Sequence, residues 1–224
     1  MIRDILIVAD MQNDFVTDAS NLEIDDTGID DIGIGDRMEK LIKQLENYIP
    51  FNEQEKRDRK IMLEWLREGK TPFTRENEVA HFTASSWIVN KQRTKVLMVY
   101  HNIYNSWSWT GGHADGDNDL LAVAVREGME ETGVEHLRPV SEDIFSIETI
   151  VVDGHEKRGS YVASHLHMNV SYLLEADEEE SLHMKPDENS GVKWIPIEKL
   201  HEMVSEPWML QRIYDKLNAK MSQY

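Results

Sequence analysis

The spacing of apolar residues divides the chain into helical and strand-like segments. Apolar positions that recur every three or four residues predict helices at 38–48, at 53–68, from 119 onward and at 207–221. Runs rich in β-branched and aromatic residues predict strands at 81–89, 95–101, 107–109, 144–152, 165–174 and 192–195. The order predicts two accessory helices, then strands on either side of a central helix, then a closing helix. This is an α+β arrangement.

Three acidic residues stand out in the central helix: Glu127, Glu130 and Glu131. Residues three or four positions apart project from neighbouring points of a helix, so these carboxylates are expected to crowd together. Like charges in such a cluster repel one another unless a cation lies among them. Carboxylate oxygens suit hard ions such as Mg²⁺ and Mn²⁺, which also bridge to substrate phosphates. The pattern therefore predicts a metal-dependent phosphoryl site.

Glycines and a capping residue frame this helix. Gly111 and Gly112 favour a tight loop in which the backbone approaches a ligand. Asn118 is the predicted N-cap. Gly133 is placed to end the helix in a left-handed conformation.

The segment GGHADGDNDLLAVAVREGMEETGV, residues 111–134, resembles the signature of Nudix hydrolases. Its fixed positions match at Gly112, Arg126, Glu127, Glu130, Glu131, Gly133 and Val134. The resemblance implies a Nudix α/β/α sandwich with an N-terminal helical layer. It also implies a Mg²⁺-dependent pyrophosphohydrolase, with Mn²⁺ as an alternative ion. The substrate would be a nucleoside diphosphate linked to another moiety, cleaved by attack of water on phosphorus.

The same resemblance assigns roles to residues. Glu127, Glu130, Glu131 and Gly112 are the expected metal ligands, and Glu127, Glu131 and Arg126 are expected to be catalytic. Arg126 would pair with a glutamate and hold the acidic face in place, which a planar five-donor guanidinium does well.

Two positions depart from the signature. Asn118 stands where the family has Glu, and Asp117 or Asp119 is close enough to supply the missing charge. Gly128 stands where an aliphatic residue is expected, which costs about 1 kcal/mol in a helix interior and is expected to loosen packing of the helix. These departures leave open an alternative, a catalytically weak Nudix domain that senses a nucleotide or binds a protein.

A second acidic candidate lies in the loop before the last predicted strand. The segment 186–196 resembles the loop and strand that close many Nudix domains, and some members carry a metal-binding or basic glutamate there. Glu188 is the corresponding candidate catalytic residue, and Glu127 or Glu188 would accept the proton of the attacking water. An ordinary exposed loop acid is the competing interpretation.

Three further residues are candidates for contact with substrate. His113 and Arg158 are placed to reach a phosphate, and Trp109 to stack on a base or, equally, to fill the core. His165 and His167 alternate on one strand. Packing or substrate contact is favoured for both over metal binding, because the sequence offers no third ligand at a recognisable spacing.

The N-terminal segment is interpreted separately. Residues 4–16, DILIVADMQNDFV, resemble the opening strand of isochorismatase-like cysteine hydrolases, but the chain contains no cysteine to act as a nucleophile. We therefore expect residues 1–35 to be a non-catalytic extension or fusion remnant, and residues 36–224 to form the Nudix domain with its accessory helices. An added edge strand or a swapped arm is the alternative for the extension.

Composition limits the partners. The chain has 42 acidic and 24 basic residues, a formal net charge of -18, which argues against a nucleic-acid polymer as partner. No apolar run is long enough for a membrane span, and no signal segment opens the chain, so a cytoplasmic location is expected. A homodimer, common among Nudix domains, remains an open expectation.

Overall fold

The computed structural model describes residues 30–68, 72–157, 159–186 and 189–224. The N-terminal segment that resembles isochorismatase-like hydrolases, together with Arg158 and Glu188, lies outside the described residues. The helices are α1 (Asp30–Asn47), α2 (Glu53–Arg67), α3 (Leu120–Thr132), α4 (Leu200–Met203), α5 (Pro207–Met209) and α6 (Asp215–Met221). A 3₁₀ turn, Ile197–Lys199, precedes α4, and a π-helical turn, Leu210–Tyr214, joins α5 to α6.

Ten strands are present in the described residues. They are β1 (Ala80–Val89), β2 (Lys95–His101), β3 (Ser106–Ser108), β4 (Thr110–His113), β5 (Arg138–Pro139), β6 (Ser146–Val152), β7 (His155–Lys157), β8 (Ser160–Val162), β9 (His165–Glu175) and β10 (Asn189–Pro196). Strands β7 and β8 form a separate hairpin, and the other eight form one mixed sheet.

The centre of the sheet is a parallel pair. Strands β1 and β9 run side by side along their whole length, with His81 opposite His167 and Val89 opposite Glu175. β2 and β10 extend the sheet beyond β1, β6 pairs with β9, and the short β4 pairs with β1. A parallel pair needs a long crossover, and here the crossover includes the central helix α3.

Helices cover both faces of this sheet. On one face α3 buries Val123 and Ala124 against Phe82 and Ala84 of β1, and α1 and α2 join the same apolar cluster. On the other face the C-terminal helical segment packs Tyr214 against Trp87, with stacked rings 5.2 Å apart. The prediction of an α/β/α sandwich with an N-terminal helical layer is confirmed.

Several element boundaries differ from the sequence prediction. Helix α1 begins at Asp30 rather than at residue 38, so the expected boundary between residues 35 and 36 falls inside it. Strands β5, β7 and β8 were not predicted; each has only two or three residues, too few for a periodic pattern. None of the helices that the structure describes combines the length and apolarity needed to cross a membrane.

A buried ionic network ties α2 to α6 and β6. The ammonium group of Lys216 lies 2.8 Å from Glu148 and 3.3 Å from Glu55, and Lys220 lies 2.8 Å from Glu55. The side chains of Lys216, Glu55 and Glu148 are 3% exposed or less. Burial raises the pKa of Glu55, but the two ammonium groups outweigh it and the pKa is lowered overall. The network is therefore ionic and holds α2 and α6 to β6 of the sheet.

Candidate active site

The two glycines before the central helix lie in a strand. Gly111 pairs with Ser85 and Gly112 with Ala84, so the segment expected to be a loop is the antiparallel strand β4. The loop prediction was wrong because pairing with β1 overrides the low strand propensity of glycine. A strand fixes the backbone of both glycines more firmly than a loop would.

Helix α3 begins and ends at identifiable caps. The Asp119 carboxylate accepts a hydrogen bond from Ala122 N–H at 3.2 Å, so the N-cap is Asp119 and the prediction of Asn118 was wrong. The two adjacent residues cap equally well, and local sequence does not choose between them. At the other end Gly133 has φ 75° and donates its N–H to Met129 O at 2.8 Å, which confirms the predicted left-handed stop.

Gly112 and Gly111 each meet one glutamate of α3. A Cβ built on Gly112 would lie 2.6 Å from Glu127 Cδ, so only a glycine leaves room for that carboxylate. Gly111 N–H donates to Glu131 Oε1 at 3.0 Å. Glu127 is 5% exposed and Glu131 is fully buried. The two carboxyl groups are thus held between helix and strand by the backbone of β4.

Glu130 differs from the other two glutamates. It is exposed, whereas Glu127 and Glu131 face β4. Because a helix advances about 100° per residue, position 130 lies roughly 60° from position 127 around the helix axis, on the solvent side. The predicted trio is therefore a buried pair with a third carboxylate at its outer border.

Arg126 is held by an aspartate. Its Nη1 lies 3.4 Å from Asp117 Oδ2, and its Nε lies 3.9 Å from Glu127 Oε1. Asp117 therefore supplies the negative charge that Asn118 lacks, as expected for one of the two neighbouring aspartates, while Asp119 is used as the cap. The contact is partly exposed, since 45% of the Arg126 side chain is accessible.

Gly128 brings α3 close to the sheet. A Cβ at this position would lie 2.7 Å from Leu137 Cδ2 and 3.2 Å from Ile88 Cδ1. The expectation that Gly128 loosens the helix packing was wrong, because the missing side chain permits a closer approach than an aliphatic residue would.

The atoms of the three glutamates that could bind a metal ion are all carboxylate oxygens. Glu127 and Glu131 offer buried carboxylates next to the Gly111 and Gly112 backbone, and Glu130 offers an exposed one. An oxygen-only set suits Mg²⁺ or Mn²⁺, so the donor chemistry fits the predicted ion, but in the described residues the three carboxylates do not converge on one point.

Two of the three predicted substrate-contacting residues, Trp109 and His113, lie apart from this pair. Trp109 is 3% exposed and packs edge to face against Tyr214, with ring centroids 5.8 Å apart, which favours its core role. His113 follows Gly112 in β4, so its side chain points to the opposite face of the strand from Glu127. There it joins His81, His165 and His167. The convergence of these four was missed, because it depends on strand register rather than on local sequence.

A comparison with family models agrees with the motif. A family model described as NUDIX domain matches residues 79–217. Nucleoside diphosphate-linked moiety X motif 6 of Xenopus laevis is 32% identical over 88 residues, which cover 38% of this chain and 39% of that protein. The match thus spans less than half of the relative's length.

Solved structures with a similar arrangement include hydrolases. An Ap4A hydrolase binary complex from C. elegans has a TM-score of 0.47 and 19% identity, over 64% of this chain and 98% of that one. The Nudix hydrolase RenU from M. smegmatis has a TM-score of 0.47 and 15% identity, over 64% of this chain and 86% of that one. Because the NUDIX model covers more than half of its residues, this chain belongs to the Nudix hydrolase family.

Proposed function

We propose that the protein is a Mg²⁺-dependent pyrophosphohydrolase that cleaves a nucleoside diphosphate linked to another moiety. The observation that carries the proposal is the buried carboxylate pair, Glu127 and Glu131, held against the Gly111 and Gly112 backbone. Two buried carboxylates fixed in this way suit a divalent cation, which compensates their mutual repulsion. The Xenopus relative is named for a nucleoside diphosphate linked to a moiety X, and this name supports the proposed substrate class.

In this proposal the residues of the chain have separate tasks. Glu127, Glu130 and Glu131, with Gly112, hold the ion, which when bound polarises the diphosphate and acidifies a water. Gly111 N–H orients Glu131, and Arg126, anchored by Asp117, orients Glu127. A carboxylate, Glu127 or Glu188, accepts the proton of the attacking water.

The first experiment is a substrate panel with Mg²⁺ or Mn²⁺. It contains nucleoside triphosphates, ADP-ribose, dinucleoside polyphosphates and nucleotide sugars, and it measures release of phosphate or nucleotide. Glu131→Gln is expected to lower kcat at least about 100-fold, because it removes a negative charge that holds the ion, and the bound ion stabilises the charge of the reacting phosphate. Glu202→Gln, an exposed glutamate on α4, is the matched control and is expected to retain wild-type turnover.

A second candidate function rests on the departures from the signature at Asn118 and Gly128. A domain that binds nucleotides without cleaving them would give no turnover on any compound, yet would bind a nucleotide in calorimetry in a metal-dependent way. Turnover that Glu131→Gln abolishes would exclude this function.

A further inference from the structure

Four histidines from three strands lie on one face of the sheet. His81 of β1 pairs with His167 of β9, and residues in register on neighbouring strands share a face. His165 lies two residues before His167 and therefore projects to the same side. His113, the last residue of β4, pairs with Thr83, two residues after His81. The register of the sheet alone thus brings all four imidazoles together.

The imidazole nitrogens are close enough to bind one ion. One ligand atom from each of the four histidines lies within 4.8 Å of every other. Nε2 of His165 is 3.2 Å from Nε2 of His167. Two nitrogens bound to one tetrahedral ion at the usual bond length are about 3.3 Å apart, so this pair already has the required spacing. The other separations, at most 4.8 Å, exceed this spacing by no more than about 1.5 Å.

Backbone carbonyls fix the tautomers of two of the rings. His81 Nδ1 lies 3.1 Å from Asn77 O, and His165 Nδ1 lies 2.9 Å from Ala163 O. A carbonyl accepts only, so each Nδ1 carries the proton and each Nε2 presents its lone pair. A hydrogen bond from the second ring nitrogen to a carbonyl also orients histidines that bind metals.

The surroundings select the kind of ion. The four histidines are 2–7% exposed, and three of them, His81, His113 and His165, line a pocket of about 320 Å³ through which an ion can enter. Imidazole nitrogen favours Zn²⁺ and similar transition metals over Mg²⁺. In the part of the chain that the structure describes, no other group of three or more His, Cys, Asp or Glu residues converges in this way.

We propose that His81, His113, His165 and His167 bind one Zn²⁺-class transition-metal ion. The site lies on the opposite face of β4 from Glu127, so it is separate from the carboxylate site and does not depend on the proposed hydrolase activity. Since the ligands come from β1, β4 and β9, the bound ion cross-links the centre of the sheet and stabilises the folded state.

The test measures metal binding and thermal stability of the full chain after chelation and dialysis. Zn²⁺ is expected to bind at one equivalent per chain and to raise the melting temperature, and Mg²⁺ at the same concentration is not. Co²⁺ is expected to give the intense visible absorption of a tetrahedral site. His167→Ala and, separately, His165→Asn should weaken Zn²⁺ binding at least about 10-fold.

Two control variants show whether the ion binds at this cluster. His101→Ala removes a histidine that is equally buried, at 2% exposed, but lies outside the cluster, and it should leave Zn²⁺ binding unchanged. Glu131→Gln should also retain Zn²⁺ binding. This variant therefore distinguishes failure of the proposed histidine site from failure of the proposed carboxylate site. The proposal is overturned if the wild type binds no Zn²⁺ or if both cluster variants bind it as tightly as the wild type. If both variants fail to fold, the Co²⁺ spectrum of the wild type decides: tetrahedral bands support the site, and weak octahedral bands refute it.

Discussion

The backbone of Gly112 lies directly against the carboxylate of Glu127, with 2.6 Å between a Cβ built on the glycine and Glu127 Cδ. Any side chain at position 112 must displace one of the two buried glutamates of the candidate site. The glycine of the family signature is thus required here by close packing between strand β4 and helix α3.

We predict that Gly112→Ala lowers kcat at least about 10-fold and weakens Mg²⁺ binding, since a displacement of about 1 Å can cost up to 100-fold in rate. The matched control is Gly116→Ala. Gly116 has φ 87°, and a Cβ built on it would meet nothing within 4 Å, so this change strains the backbone without touching Glu127. Kinetics and calorimetry on both variants check the prediction, and equal losses in the two would contradict it.

Capping of α3 provides a test of local structure. Asp119→Ala is expected to lower the free energy of unfolding by about 1 kcal/mol, because it removes the hydrogen bond to Ala122 N–H. Asn118→Ala should cost less. Urea denaturation measures the free energy of unfolding of both variants. A larger decrease for Asn118→Ala than for Asp119→Ala would show that Asn118 is the N-cap.

Gly128→Ala sets helix propensity against packing. Alanine gains about 1 kcal/mol in a helix interior, but its Cβ would lie 2.7 Å from Leu137 Cδ2, and overpacking costs about 1–3 kcal/mol. We expect a net loss of stability. In a Leu137→Ala background, Gly128→Ala should cost less than it does in the wild type, which a double-mutant cycle in denaturant measures; additive effects would exclude the proposed contact.

Lys216 is expected to be more important for stability than exposed lysines. Lys216→Met leaves the carboxylates of Glu55 and Glu148 buried with fewer compensating charges, and loss of one partner of a buried pair typically costs about 3–5 kcal/mol. Lys199→Met removes an exposed pair with Glu202 and should cost under about 1 kcal/mol. Similar melting temperatures for the two variants would show that the buried network contributes little.

A pH dependence follows from Glu206. Burial raises its pKa from 4.5 to about 7, although a hydrogen bond with Ser106 acts in the opposite direction. Between these two values the folded state binds more protons than the unfolded state, so the free energy of unfolding falls as the pH rises. Glu206→Gln should remove this contribution. Its stability relative to the wild type should therefore increase across this range, and a constant difference would show that the pKa is not raised.

The sequence was most informative where structure is determined locally. Strand β2 and the stop of α3 at Gly133 agree with the prediction, because hydrophobic spacing and the conformational freedom of glycine are local properties. The contact between Arg126 and Asp117 was also within reach, since Asp117 lies only nine residues before Arg126, just ahead of the same helix.

What could not be predicted depends on pairing between distant segments. Gly111 and Gly112 form a strand only because β1 offers them partners, and the short strand β5 likewise exists only through its pairing with β9. His81 joins His167 only through the parallel register of β1 and β9. No periodicity in the sequence reveals that register.

The same parallel pair constrains how the chain folds. β1 cannot find its partner until β9 has been synthesised, and β9 ends at Glu175, so the central hydrogen-bond ladder closes late. Pairings between residues so far apart in sequence are slow to form. The loop between them must close first, and the entropy lost on closure is offset only when the contacts have formed. During synthesis the edge of β1 that faces β9 therefore stays unpaired until Glu175 has been made, although the other edge can already pair with β2 and β4, and this open edge is where a chaperone would be expected to bind the nascent chain.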